Sequence, residues 1–131
     1  ADEYSVELDT AKVIRMALIH DLGEIYAGDF TPADNIDKKD KYTLEKKSVA
    51  KVLEKLPNGF KWIALWEELE IGESAESQFV KQLDKLEMAL QASVYEHQGI
   101  ADLSMFFTSA NKGLSSVELK LIFSKLKELR D

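Results

Sequence analysis

The chain has 131 residues, 45% of them hydrophobic and 31% charged, with a formal net charge of −7; this suits one soluble globular domain with a real core. Such acidity argues against a binder of nucleic-acid polymers, which needs a basic face, but admits a small phosphorylated substrate if a bound metal supplies local positive charge. The absence of Cys excludes disulfides and thiolate chemistry and suits a cytoplasmic protein. No apolar run approaches the ~20 residues of a membrane span, and acidic Ala1-Asp2-Glu3-Tyr4 lacks the basic-then-apolar order of a signal peptide.

Apolar residues recur mostly at helical spacing, which predicts an all-α domain of about six helices. The first helix is expected from Asp9 or Thr10, where a short oxygen side chain can cap free N–H groups, with Val13, Ile14, Ala17 and Leu18 on one face. His20 and Asp21 fall in its last turn or just beyond. Gly23 permits close backbone approach, and Gly28 marks the end of a second short helical turn. Polar, turn-rich Thr31 to Lys41 reads as a loop, and a helix is expected from Tyr42 or Thr43, with Val49, Val52, Leu53 and Leu56 on its apolar face.

Pro57-Asn58-Gly59 stops that helix. The next runs from Phe60 to Glu70 and carries Trp62 and Trp66, each able to bury on the order of 150–250 Å². Ser74 is a good cap for the longest helix, Ala75 to Glu96, with Phe79, Val80, Leu83, Leu86, Leu90 and Val94 as its stripe. Gly99 ends it. A short segment from Leu103 to Ala110 follows, broken by Gly113, and Ser115 or Ser116 caps a last amphipathic helix.

The stretch Ala17-Leu18-Ile19-His20-Asp21-Leu22-Gly23-Glu24 is the first candidate for chemistry. Adjacent helical side chains diverge by only ~100°, so His20 and Asp21 can both reach one divalent ion through bonds of roughly 2.0–2.2 Å. Glu24, one helical turn beyond Asp21, could accept a proton from water or orient it, or could be an exposed helix residue. Asp29 could act likewise, or cap the backbone near Gly28 and Thr31.

Asp84 shares a helix stripe with Val80 and Met88, where a buried carboxylate needs an ion pair, from Lys81, Lys85 or Arg15, or a metal. His97 lies ~20 Å from Asp84 along the helix rise and is expected at the surface near the helix C-terminus. Lys38, Lys39 and Lys41 form a small basic cluster that is either solvated or, if its loop folds over the site, in contact with a phosphate.

Several ordered motifs together resemble a known family. Arg15 to Glu24, then Gly28-Asp29-Phe30-Thr31-Pro32, then Leu83-Asp84-Lys85-Leu86-Glu87-Met88 with Gln91-Ala92 and Tyr95, closely resemble the HD-domain metal-dependent phosphohydrolases, in their 5′-deoxynucleotidase branch. Trp66-Glu67-Glu68 looks like that branch's Trp-and-Glu segment. The resemblance implies a helical bundle spanning 1–131 as a single HD domain. It implies one divalent metal held by His20, Asp21 and Asp84, with cobalt, manganese, magnesium and zinc not distinguished. It also implies Glu24 and Asp29 as the acidic residues that assist attack of a metal-bound water and protonation of the leaving sugar oxygen.

The implied reaction is hydrolysis of deoxyribonucleoside 5′-monophosphates to nucleoside and phosphate, by a protein that forms homodimers. The family's first metal-binding His lies on a helix well upstream of the HD pair, and none of the residues before His20 is His. The expectation is therefore a domain without its N-terminal helix and with weakened metal binding. Rival readings are another HD-type nucleotide phosphohydrolase or phosphodiesterase, and a catalytically silent helical interaction module using the Trp62/Trp66 face.

Overall fold

Helix starts are set by short polar side chains. Asp9 accepts from the Lys12 N–H at 3.1 Å, Asp37 from Lys39 at 2.9 Å, Ser74 from Ser77 at 3.2 Å and Ser116 from Leu119 at 3.2 Å. Each satisfies a donor that the first helical turn would leave open. The computed structural model describes residues 4–23, 37–99 and 104–130. Among them are six helices and no strand: α1 (Thr10–Ile19), α2 (Lys38–Leu53), α3 (Gly59–Ile71), α4 (Ala75–His97), α5 (Ser104–Gly113) and α6 (Val117–Arg130). The all-α architecture expected from the spacing is the one observed.

The long helix α4 is the axis of the bundle. It packs against α1, α3, α5 and α6, while α3 also packs on α1 and α2. One core joins Val13 and Met16 of α1 to Phe79, Val80, Ala89 and Ala92 of α4, and to Phe107, Leu119 and Phe123. A second core joins Ile19, Val49, Leu53 and Trp66, with Tyr42 stacked on Trp66 at a 5.7 Å centroid separation. Trp66 is fully buried. The Trp-and-Glu segment ties α3 to its neighbours, for Glu67 pairs with Lys46 of α2 and Glu68 with Lys12 of α1, both at 2.8 Å.

Three sequence expectations need correction. The helix expected from Tyr42 or Thr43 starts at Lys38, because Asp37 supplies the cap and no Gly or Pro interrupts Lys38 to Thr43. The rest of the expected loop, and the turn ending at Gly28, lie outside the described residues. The buried face of α1 is Val13, Met16 and Ile19, while Ile14 and Leu18 are 55% and 71% exposed. The inward face of α1 is thus a narrow stripe with a three-residue repeat. In α4, Leu90 and Val94 are exposed, and the buried line passes instead through Ala89, Ala92 and Ser93. Those small side chains permit the close approach of the other helices.

Buried Gln82 was not singled out by the sequence pattern. Its side-chain carbonyl accepts from the N–H groups of Ser115 and Ser116 at 2.9 and 2.8 Å, and so holds the start of α6 onto the middle of α4.

Candidate metal and phosphate site

Helix α1 ends by presenting His20. The residue is the C-cap, in right-handed helical conformation, and its ring Nδ1 hydrogen-bonds the Ala17 carbonyl oxygen one turn back. A carbonyl can only accept, so Nδ1 carries the hydrogen and Nε2 faces outward. Nε2 lies 3.3 Å from Asp21 Oδ2 and 3.5 Å from Asp84 Oδ1. The structure therefore brings together three residues singled out from the sequence, from the end of α1 and the middle of α4.

The donor set fits a divalent cation. An imidazole nitrogen facing two carboxylates is a repulsive arrangement of lone pairs unless a cation or a proton lies among them. Two ligand atoms each roughly 2.1 Å from a tetrahedral ion are about 3.4 Å apart, close to both observed distances. No group of three or more His, Cys, Asp or Glu side chains among the described residues closes around a common point, however. The pairwise distances carry more weight, because an exposed carboxylate changes rotamer at little cost. Asp84 is 50% exposed, which corrects the expectation of a buried carboxylate, and its ion-pair partner among the described residues is His20, not Lys81, Lys85 or Arg15.

These three residues border a cavity of about 700 Å³ and, across Val80, a second of about 320 Å³ floored by Ala17 and Leu83. The larger cavity also receives Lys38 and Lys41, so two of the three clustered lysines do face the site, though from a helix and not from a loop. Lys39 is not among its lining. His97 sits at the last position of α4, exposed, with Nδ1 bonded to the Ser93 carbonyl at 2.9 Å; its surface placement is as expected. Glu24 and Asp29 lie outside the described residues.

Sequence reasoning missed the far wall of the cavity. Glu45 of α2 is buried beneath the His20-Asp21 turn: a Cβ on Gly23 would lie 2.9 Å from Glu45 Cβ. The close approach expected of Gly23 is thus an approach to α2. Lys41 lies 3.7 Å from Glu45. Glu70 of α3 faces the same space, and burial, with the charge of Glu45 adding, raises its pKa against the opposing pull of Lys81 and Lys41. The Lys81 ammonium donates to the Glu70 carbonyl at 3.0 Å and so closes the C-terminus of α3. A signal for Glu45 did exist: it lies four residues before Val49 and so on the buried face of α2, once the helix is started at Lys38.

The chain is similar to several known proteins. The 5′-deoxynucleotidase HDDC2 of Dictyostelium discoideum is 47% identical over 94 residues, which cover 70% of this chain and 50% of that protein. The protein of the same name from Mus musculus is 38% identical over 128 residues, 95% of this chain and 64% of that one. The chain therefore spans about half to just under two thirds of the length of these curated relatives. The crystal structure of a predicted metal-dependent phosphohydrolase from Magnetospirillum magnetotacticum MS-1 superposes with a TM-score of 0.69 at 29% identity, over 98% of this chain and 68% of that one. A family model for the HD domain matches residues 1–126, and the chain belongs to the HD domain family.

Proposed function

We propose that this protein is a metal-dependent phosphohydrolase that converts deoxyribonucleoside 5′-monophosphates to nucleoside and inorganic phosphate. The observation that carries the reading is His20, pinned through Nδ1 to Ala17 with Nε2 set between Asp21 and Asp84. The substrate class follows the names of the relatives, which are 5′-deoxynucleotidases.

In this reading His20, Asp21 and Asp84 hold one divalent ion, within one HD domain spanning 1–131. The ion supplies Lewis-acid activation of water and charge neutralisation for phosphoryl oxygens. The Ala17 carbonyl keeps the His20 ring in the tautomer that can ligate. Glu24 takes the proton of the attacking water as the new P–O bond forms. Asp29 gives a proton to the sugar O5′ as the P–O5′ bond breaks. The ~700 Å³ cavity has the size of a small-molecule site. We place the activity in a cytoplasmic homodimer, for which exposed Leu121 and Ile122 of α6 offer apolar surface; light scattering reads the dimer directly.

The deciding experiment combines elemental analysis with phosphate release. About one metal per chain is expected, with manganese- or cobalt-dependent release of phosphate from deoxynucleoside monophosphates and none from triphosphates or cyclic nucleotides. Hydrolysis of a triphosphate or cyclic nucleotide instead would make this a different HD-type hydrolase. A metal-free, inactive protein would be a helical interaction module.

A further inference from the structure

Four lysines face the cavity that holds His20, Asp21 and Asp84. Lys41 lies against Glu45, Lys81 closes the end of α3, and Lys38 is exposed at the first position of α2. Lys85 is different. It directly follows Asp84 on α4, it is half-buried, and among the described residues no hydrogen bond or ion pair engages its ammonium.

Gly113, the last residue of α5, holds Lys85 in place. A Cβ added there would lie 2.7 Å from Lys85 Cγ, 3.2 Å from Cδ and 3.5 Å from Cβ. The aliphatic stem of Lys85 thus lies directly across a residue that has no side chain, and Lys85 is among the residues that line the cavity. A stem packed in this way has lost rotamer freedom before any ligand arrives.

The cavity also holds Asp21, Glu45, Glu70 and Asp84. A phosphate dianion entering it meets strong negative charge and needs a cation that no carboxylate has already claimed. A lysine ammonium is a compact point charge suited to that role. Resting on the phosphohydrolase reading above, we infer that Lys85 binds the phosphate group of the substrate and that Gly113 is the notch that positions it.

The test compares the wild-type protein with Lys85→Met, Lys85→Arg and Gly113→Ala. Manganese content, KM and kcat for a deoxynucleoside monophosphate, and calorimetric binding of inorganic phosphate are measured for each. Lys85→Met should raise KM and weaken phosphate binding about tenfold or more, the size of a lost charge-assisted hydrogen bond, with manganese content unchanged. Lys85→Arg should recover most of both. Gly113→Ala, which keeps the ammonium and displaces its stem, should shift both in the same direction by less, and should add nothing in the double variant.

Unchanged KM and phosphate binding in Lys85→Met overturn the inference, as does an effect that tracks manganese loss alone. If Lys85→Met does not fold, wild-type values in Gly113→Ala overturn it. If the wild-type protein hydrolyses no deoxynucleoside monophosphate, the phosphohydrolase reading fails, and the phosphate-binding difference between wild type and Lys85→Met still decides the role of Lys85.

Discussion

His20 Nε2 stands 3.5 Å from Asp84 Oδ1, although one residue ends α1 and the other lies in mid-α4. An ion pair this exposed contributes at most about 1 kcal/mol to stability. A metal-binding role and a structural role therefore make opposite forecasts. Asp84→Asn should melt within a few degrees of wild type, yet lose metal affinity by ~10–100-fold or more and phosphohydrolase activity with it. Thermal unfolding and metal titration on the same sample check this. A variant that keeps its metal and loses stability would return Asp84 to a structural role.

Gly23 links that site to α2. The missing side chain is filled by Glu45, whose Cβ and Cγ would lie 2.9 and 3.2 Å from an alanine methyl. Neither neighbour is the far end of a flexible chain, so backbone must shift. Gly23→Ala should destabilise by about 1–3 kcal/mol, the usual range for overpacking, as read by denaturant unfolding. The turn carrying His20 and Asp21 should move with it, so metal affinity falls along with stability, in contrast to Asp84→Asn.

Those two forecasts differ in how far the sequence alone reaches. The adjacency of His20 and Asp21 and the apolar run before them are local, and so legible, as are the caps Asp9, Ser74 and Ser116. Asp84 was set beside them by family resemblance, because spacing on one helix says nothing about which other helix lies opposite. The early start of α2 was hidden by its charge: Lys38 to Lys41 looks like a solvated loop, yet Asp37 is an ordinary cap for it. Glu45 and Glu70 were missed for the same reason as Gln82, and Lys85 entered only as a possible ion-pair partner of Asp84. Each matters through a neighbour on another helix, and helical periodicity records only which face points inward.

Glu70 provides a pH-dependent forecast. Burial, with the charge of Glu45, holds its pKa above the ordinary 4.5, so the folded protein binds this proton more tightly than the unfolded chain. The ionised carboxylate therefore disfavours the fold above the raised pKa, and that penalty disappears as pH falls through the raised value towards 4.5. Glu70→Gln should unfold at a higher temperature than wild type at about pH 8, with the difference shrinking on acidification. An unchanged or lower melting temperature at alkaline pH would mean that Lys81 and Lys41 compensate the carboxylate fully.

Glu118 behaves in the opposite sense. Its carboxylate accepts from the Ser5 N–H at 3.2 Å and from the Ser116 hydroxyl at 3.0 Å. Hydrogen bonds from Ser5 foremost, then from its own backbone N–H and from Ser116, hold its pKa down at about 2. Folding therefore favours the ionised form. The stabilisation is complete above the ordinary 4.5 and is lost as pH falls through about 2. Residues 4–9 are the segment at stake: Tyr4 packs edge-on against Phe79 at 4.8 Å, and the Asp9 N–H is held by Glu76 at 3.2 Å. Glu118→Gln keeps an acceptor and removes the charge. It should lower the melting temperature at neutral pH and speed hydrogen exchange at the Ser5 amide, while matching wild type near pH 2. A gap in melting temperature that persists undiminished at that pH would place the effect in packing at the start of α6 and not in the charge.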